Sequence, residues 1–257
     1  MGGKASGRTP DRASDGAADK MPTATAGNIP AHGNEPGLSP RVAHLPLVRH
    51  SVTAAGRSWL IDAVADQDAL LAASDQFDAF PYGLLLWDAA PVLADALAAF
   101  APSGLEGKRV LELGAGVGLA GLAARHLGAD VVQTDHAQEA LELARRNATL
   151  NGIAGIVQQC ADWTRWTDEK KGFDIVIGSD VLYDGSAHAP IGSVLAASLA
   201  TDGFALLTDP GRTATPFFVR DMQAAGWLVS LEQRTVGALH PTRPGETVDV
   251  TILKVWR

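Results

Sequence analysis

The chain has 257 residues, of which 46% are hydrophobic and 19% charged, and it carries a formal net charge of −8. This length accommodates one large domain or two small ones, and the apolar content is that of a globular protein with a core. The apolar runs fall far short of the ~20 residues of a membrane span, the first twenty residues hold no apolar segment typical of a signal peptide, and the acidic balance disfavours a general nucleic-acid binder.

The single cysteine, Cys160, excludes a disulfide within one chain and a metal site built on cysteines. We expect Cys160 to be a small buried residue. We expect His188 and His240 to be solvated loop residues, because neither has partners at metal-ligand spacing. These observations predict a cytoplasmic protein without membrane, nucleic-acid or metal partners. The oligomeric state stays open, and we expect a monomer.

The first part of the chain divides into a tail and a predicted hairpin. Residues 1–40 are rich in Gly, Ala, Pro, Ser and Asp without hydrophobic periodicity, which predicts a disordered tail. Extended runs at 44–53 and 57–64, joined around Ala55-Gly56, predict a β-hairpin. We expect residues 41–257 to form a single domain, with an N-terminal extension at 41–105 and a cofactor-binding core at 106–257.

Two helices are predicted between the hairpin and the core. Asp66 or Asp68 would cap a short helix, and Asp88 would cap a longer helix with an apolar inner face. The remaining predicted elements are strands at 110–113, 130–134, 156–159, 173–178, 203–208, 227–236 and 247–256, and helices at 119–127, 137–148, 191–199 and 217–225.

Strands that alternate with helices are typical of an α/β protein with a doubly wound, mostly parallel sheet. The pattern here predicts seven such strands. The last two strands have no helix between them, which indicates that one C-terminal strand is antiparallel. The β-hairpin precedes this sheet as an N-terminal extension.

A glycine-rich stretch follows the first core strand. The segment Gly116–Gly121 matches G-x-G-x-x-G, the dinucleotide-binding fingerprint. That fingerprint should begin directly after the strand, where Gly114 already stands, and counted from Gly114 its third glycine falls on Leu119. The dinucleotide interpretation is therefore weak.

A second interpretation starts from Glu112 and reads the stretch as E-x-G-x-G-x-G. Asp135 ends the second core strand, where a carboxylate suits the two hydroxyls of a ribose. An acid there serves NAD equally well, so Asp135 alone does not discriminate. Glu112 would repel a pyrophosphate but tolerates a ligand with an ammonium group, as in S-adenosylmethionine, which has an amino-acid end and a sulfonium cation.

Roughly 70% of the chain, from Phe80 onward, resembles the class I S-adenosylmethionine-dependent methyltransferases, which are Rossmann-like, and within them lysine methyltransferase family 16. The glycine motif is shared by the whole class, whereas the other features are much narrower. The features that carry the resemblance are Leu86-Trp87 before a helix, the stretch 111–119, Asp162-Trp163, and Asp180-Val181-Leu182-Tyr183 after the fourth core strand.

The resemblance implies S-adenosyl-L-methionine as cofactor and assigns residues to it. The implied cofactor-binding residues are Trp87, Glu112, Gly114, Ala115, Gly116, Asp135, Asp162, Trp163 and Ser179. The glycine turn would hold the methionine end of the cofactor, with Glu112 beside it. Asp135 would bind the ribose, and Asp162 and Trp163 would flank the adenine. Trp87 would line the pocket.

The resemblance also implies a methyl acceptor and two catalytic residues, Asp180 and Tyr183, at the mouth of the pocket. Asp180 would attract an incoming ammonium, and Tyr183 would accept a hydrogen bond or form a wall of the channel. A protein lysine is the expected acceptor, because the chain lacks the Asn-Pro-Pro-Tyr or Asp-Pro-Pro-Tyr run of base and glutamine methyltransferases, and its negative charge suits a basic partner.

Other functions stay open at this point. The acceptor could be a small-molecule amine or another protein side chain, and the fold could serve as a non-catalytic cofactor-binding scaffold. An NAD-dependent oxidoreductase is disfavoured, because neither Tyr82 nor Tyr183 has a lysine four residues later.

Overall fold

The computed structural model describes residues 1–3, 29–30, 38–77, 79–167 and 172–257. The strands are β1 (Ile29–Pro30), β2 (Leu47–Ala54), β3 (Arg57–Val64), β4 (Arg109–Leu113), β5 (Asp130–Asp135), β6 (Val157–Cys160), β7 (Phe173–Ser179), β8 (Leu199–Asp209), β9 (Leu228–Gly237) and β10 (Thr247–Trp256). The α-helices are α1 (Pro40–Ala43), α2 (Gln67–Ala72), α3 (Ala89–Phe100), α4 (Leu119–His126), α5 (Gln138–Leu150), α6 (His188–Ser198) and α7 (Thr215–Ala224). Short 3-10 helices occupy Ser74–Gln76, Tyr82–Leu84, Trp163–Arg165 and Gly185–Ala187.

Seven strands form the central sheet in the order β6-β5-β4-β7-β8-β10-β9. Strand β10 runs antiparallel to both of its neighbours, and the pairs from β6 to β8 are parallel. The predicted doubly wound sheet and its antiparallel C-terminal strand are thus confirmed. The chain first proceeds outward from β4 to β6 and then crosses to β7, so a crevice opens above the carboxyl ends of β4 and β7.

Helices cover both faces of this sheet. Side chains of α3 and α4 pack with Val110 of β4 on one face, and side chains of α6 and α7 pack with Leu111 and Leu113 on the other. This alternation follows from the two-residue period of a strand. Glu112 therefore points to the α4 side, beneath the glycine turn that joins β4 to α4.

The N-terminal extension forms the predicted hairpin. Strands β2 and β3 pair from Leu47 opposite Val64 to Ala54 opposite Arg57. The two residues between them, Ala55 and Gly56, have φ of 51° and 70°, which is the left-handed conformation that tight hairpin turns require. The hairpin packs against α3, α4 and α5 through a shared apolar cluster that includes the fully buried Trp59.

A buried carboxylate ties the hairpin to α5. Asp62 accepts hydrogen bonds from Arg49 Nε at 2.7 Å and from Arg146 Nε at 2.7 Å. The side chain of Asn147 bonds both the backbone N–H and the backbone carbonyl of Asp62, at 2.8 and 3.0 Å. Burial raises the pKa of Asp62, but the hydrogen bonds and charges of the two arginines outweigh burial and hold the pKa below its usual value.

The structure corrects the predicted cap of α3. Asp66 caps α2 by accepting from Ala69 N, as expected. Asp88 stands before α3 but makes no side-chain capping bond. Its Oδ1 instead accepts the backbone N–H of Leu239 at 2.6 Å, which anchors the loop between β9 and β10. A long-range partner has therefore replaced the local one.

Two further predictions are modified. Strand β8 begins at Leu199, directly after α6 and earlier than the predicted residue 203. The predicted tail of residues 1–40 lies largely outside the described residues, and of its described parts Ile29–Pro30 pair with β2 and Pro40 begins α1. No helix in the described ranges is both long and apolar enough to cross a bilayer.

Replacement of Asp62 by alanine should lower the free energy of unfolding at pH 7 by about 3 kcal/mol, because two arginines lose a buried partner. In the wild type, the contribution of Asp62 should be lost as the pH falls through its lowered pKa, since the unfolded carboxyl takes up its proton first. Urea unfolding at several pH values measures both effects.

The matched control is Asp130→Ala, which removes an ion pair with Arg125 from a side chain that is 78% exposed. That change should lower the free energy of unfolding by less than about 0.5 kcal/mol. An equal loss in the two variants would show that the buried cluster does not hold the hairpin.

Candidate active site

A cavity of about 490 Å³ opens above the carboxyl ends of β4, β5 and β7. Its volume is in the range of small-molecule sites. The lining contains every predicted site residue except Asp162, namely Trp87, Glu112, Gly114, Ala115, Gly116, Asp135, Trp163, Ser179, Asp180 and Tyr183. The structure therefore brings together residues that lie far apart in the sequence.

The glycine turn forms the floor of this cavity. Gly114 and Gly116 have φ of 62° and 52°, where side chains are strained. A Cβ atom at Gly114 would lie 2.9 Å from Val181 Cγ1, and a Cβ at Gly116 would lie 3.2 Å from the carbonyl oxygen of Gly83. Glycine at both positions therefore allows the turn to approach Val181 and Gly83 closely.

Glu112 lies beneath the turn with both carboxylate oxygens hydrogen-bonded. Oε1 accepts from Gly121 N at 3.1 Å and Oε2 from Gln133 Nε2 at 2.8 Å. Gln133 also donates to the carbonyl of Gly118 and accepts from Gln158. Burial raises the pKa of Glu112 to about 8, because no cation compensates for the loss of water in the described structure. Glu112 thus supports the turn and also faces the cavity.

Asp135 joins the second strand to the glycine turn. Its Oδ2 accepts the backbone N–H of Gly116 at 2.9 Å, and its Oδ1 accepts that of Ala137 at 2.9 Å. Burial raises the pKa of this carboxyl above its usual value. A carboxylate offers about four acceptor positions, so each oxygen retains capacity for a ligand donor. The crevice above Gly116 is open, as the sequence-based interpretation required.

Asp162 and Trp163 have different positions relative to the cavity. Trp163 lines it, and its buried Nε1 has no hydrogen-bond partner among the described residues. Asp162 is absent from the lining, and its Oδ1 accepts the N–H and hydroxyl of Thr164 at 2.8 and 2.7 Å. These short contacts hold the pKa of Asp162 below its usual value. Asp162 therefore caps the 3-10 turn, and its role toward adenine stays a prediction.

Asp180 is paired with an arginine that sequence reasoning missed. Arg212 Nε donates to Oδ1 at 2.9 Å and Arg212 Nη2 donates to Oδ2 at 2.6 Å, which is a bidentate contact. Burial raises the pKa of Asp180 above its usual value, although the hydrogen bonds and charge of Arg212 oppose this shift. Its position in the sequence could have identified Arg212 as a site residue. Arg212 follows the turn at the end of the fifth core strand, on the same sheet edge as Asp180.

Aromatic side chains form the outer wall. Tyr82 and Tyr183 are 45% and 48% exposed, and their ring centroids are 5.7 Å apart. Trp87 is half-buried and donates from Nε1 to the carbonyl of Tyr82 at 3.0 Å. Burial, with nearby carboxylates, raises the pKa of Tyr183. Tyr82 was not predicted as a site residue, since only the fold brings it next to Tyr183.

Two expectations outside the site are wrong. Cys160 is exposed, because it ends the edge strand β6. His188 is buried on α6. His240 is an exposed loop residue, as expected, and it contacts the carbonyl of Leu86 at 3.1 Å. Within the described ranges, no group of three or more His, Cys, Asp or Glu could hold a metal ion.

The sheet order and the ligand-accessible glycine turn define a class I methyltransferase fold. The S-adenosylmethionine-dependent methyltransferase from Agrobacterium tumefaciens aligns with a TM-score of 0.58, covering 82% of this chain and 70% of its own, at 17% identity. A likeness at this identity establishes the fold alone.

Sequence comparison gives the family. The model of a family described as lysine methyltransferase matches residues 65–216, so the chain belongs to this family. The chain is 38% identical over 108 residues to histone-arginine methyltransferase METTL23 of Xenopus laevis, covering 40% of this chain and 46% of that protein. It is 39% identical over 106 residues to protein N-lysine methyltransferase METTL21A of Danio rerio, covering 38% of this chain and 47% of that protein. The chain spans about half the length of the curated relatives it matches.

Replacement of Glu112 by glutamine should change how stability depends on pH. The unfolded carboxyl ionises near pH 4.5, whereas the folded one keeps its proton up to about pH 8. The free energy of unfolding of the wild type should therefore fall relative to Glu112→Gln as the pH rises from 5 to 8, by at most about 1.4 kcal/mol per pH unit. Urea unfolding curves for the two proteins that stay parallel over this range would contradict the assignment.

Proposed function

We propose that the protein transfers a methyl group from S-adenosylmethionine to the side-chain amine of a lysine in another protein. The observation that carries the proposal is the open crevice above Gly114–Gly116, flanked by Asp135 on one side and by Asp180 and Tyr183 on the other. Membership of the lysine methyltransferase family supports the same reaction.

The residues in the cavity fit this cofactor. The turn Gly114–Gly116 carries no side chain larger than the methyl group of Ala115 and so offers its backbone to the methionine end, and Glu112 lies beneath it for the ammonium group. Asp135 has acceptor capacity for the ribose hydroxyls. The unpartnered Nε1 of Trp163 is a buried donor that a ligand can satisfy. When bound, S-adenosylmethionine supplies a methyl group on a cationic sulfur.

The cavity favours a lysine acceptor over an arginine. Guanidinium groups are held best by bidentate contacts to carboxylates. Within the described lining, the three carboxylates are Glu112, Asp135 and Asp180, and each already accepts hydrogen bonds from protein donors. A neutral amine needs no bidentate contact to a carboxylate. The similarity to a relative named as a histone-arginine methyltransferase makes arginine the second candidate.

The acceptor lysine must lose its proton before it reacts, because its usual pKa is about 10.4. The rings of Tyr82, Trp87 and Tyr183 would exclude water around the amine, and desolvation lowers the pKa of a lysine. The hydroxyl of Tyr183 would accept a hydrogen bond from the amine. Asp180 would orient the acceptor at the mouth. Most of the catalysis would come from positioning, which such walls provide.

Several broader statements belong to the same proposal. Residues 41–257 would form one methyltransferase domain, with 41–105 as the extension and 106–257 as the cofactor-binding core. The partner would be a protein with a basic surface around its lysine, since the chain has a formal charge of −8. A cytoplasmic location agrees with the single cysteine.

Labelling of a cell lysate tests the reaction and names the acceptor. The protein is incubated with lysate and isotope-labelled S-adenosylmethionine, and labelled residues are identified by mass spectrometry. Label on lysine supports the proposal. Label on arginine selects the second candidate, an arginine acceptor. If no lysate protein is labelled although the purified protein binds S-adenosylhomocysteine, the fold is a cofactor-binding scaffold.

Replacement of Asp135 by alanine should weaken binding of S-adenosylhomocysteine at least about tenfold, because loss of a charged hydrogen bond costs about 1.5–3 kcal/mol. Calorimetric titration measures the affinity, and the melting temperature without ligand shows whether the fold survives. Asp130→Ala, at the opposite end of β5, is the matched control and should bind like the wild type. Equal affinity in both variants would remove Asp135 from the site.

A further inference from the structure

The ion pair between Asp180 and Arg212 is fixed from both sides. The backbone N–H of Asp180 donates to the carbonyl of Thr208 at 2.7 Å. The backbone N–H groups of Gly211 and Arg212 both donate to Asp209 Oδ1, at 2.9 and 2.7 Å. The ends of β7 and β8 thereby present the carboxylate and the guanidinium to each other inside the cavity. The pair is preorganised by the backbone.

Arg212 has a distinctive place in the charge distribution of the site. Among the described residues that line the cavity, it is the one lysine or arginine. The charged or titratable groups around the pair are Asp88 before α3, Asp209 on β8, Tyr82 on its 3-10 turn and Tyr183 after β7, and Asp135 and His136 also line the cavity. The other charged groups beside the pair are carboxylates. The guanidinium also lies 5.7 Å from the ring centre of Trp87, in the aromatic wall.

A carboxylate at this position has two opposite effects on an amine. An anion within about 4–6 Å stabilises the ammonium form and raises its pKa. Such an anion helps a lysine to enter but hinders the loss of the proton that methyl transfer requires. A carboxylate already held by a guanidinium has little of this effect.

We propose that Arg212 is a positioning residue for methyl transfer, which holds Asp180 in a bidentate ion pair and so leaves the acceptor amine neutral at the mouth of the cavity. This inference rests on the proposed function, because it requires an amine acceptor. The lone pair of the acceptor nitrogen forms the new N–C bond while the electron pair of the C–S bond returns to sulfur. The proton that the ammonium gives up beforehand goes to water.

Binding of a minimal amine tests the inference without an identified acceptor. The probe is n-butylamine, titrated at pH 7 into protein loaded with S-adenosylhomocysteine and followed by calorimetry. Arg212→Met exposes the Asp180 carboxylate and should bind the butylammonium ion at least about fivefold more tightly than the wild type. The double variant Asp180→Asn/Arg212→Met should lose this gain.

Two further variants separate charge from structure. Arg212→Lys keeps the positive charge but loses the bidentate contact, so its affinity for n-butylamine should lie between those of the wild type and Arg212→Met. Arg220→Met removes an exposed arginine of α7 that pairs with Asp221, and should leave binding unchanged. Affinity in Arg212→Met no higher than in Arg220→Met overturns the inference. If Arg212→Met unfolds, Arg212→Gln replaces it, because glutamine also removes the positive charge and should show the same gain in affinity.

A kinetic measurement follows with a peptide that contains the labelled residue. Arg212→Met should lower both KM and kcat at pH 7. It should also raise the apparent pKa of the kcat–pH profile by about one unit. Arg212→Lys should shift the profile less than Arg212→Met does, because it keeps the positive charge beside Asp180. A lower kcat with an unchanged kcat–pH profile would show that Arg212 has only a structural role. Failure of the wild type to bind S-adenosylhomocysteine or to label any protein would instead refute the proposed function.

Discussion

The hydrogen bond from the backbone of Gly116 to Asp135 Oδ2 is the contact on which the site depends. It joins the turn after β4 to the end of β5, and the other oxygen of the same carboxylate holds the start of the next helix at Ala137. Because glycine occupies position 116, the turn can approach both this carboxylate and the backbone of Gly83. The crevice keeps its shape through backbone contacts and leaves the cavity to a ligand.

Buried charge is the main energetic cost of this arrangement. The described part of the cavity has three carboxylates, and burial raises the pKa of each. The compensation differs among them. Glu112 is held by amide N–H groups, and Asp135 by amide N–H groups with the imidazole of His136 at 3.4 Å, whereas Asp180 has a guanidinium partner. Neutral donors stabilise a charge less than a cation does, so the first two carboxylates are suited to a cationic ligand and the third is already neutralised.

The sequence was most informative where chemistry and local pattern coincide. The glycine motif, the acid at the end of the second strand and the Asp-x-x-Tyr segment all fall in or beside the cavity. Errors came where a distant partner displaced a local one. Asp88 has the local pattern of a helix cap but binds Leu239 N, some 150 residues later in the chain. Asp162, which the resemblance assigns to adenine, caps its own turn, and its role toward adenine stays a prediction.

By itself the sequence determined the family, the order of strands and helices, and the residues after each strand that form the site. These properties depend on short-range periodicity and on motifs that are contiguous in the chain. Only the tertiary structure decided that Arg212 neutralises Asp180 and that Tyr82 faces Tyr183. These pairs join segments 32 and about 100 residues apart. Their contact depends on which strand ends lie side by side in the sheet, and no local pattern carries that information.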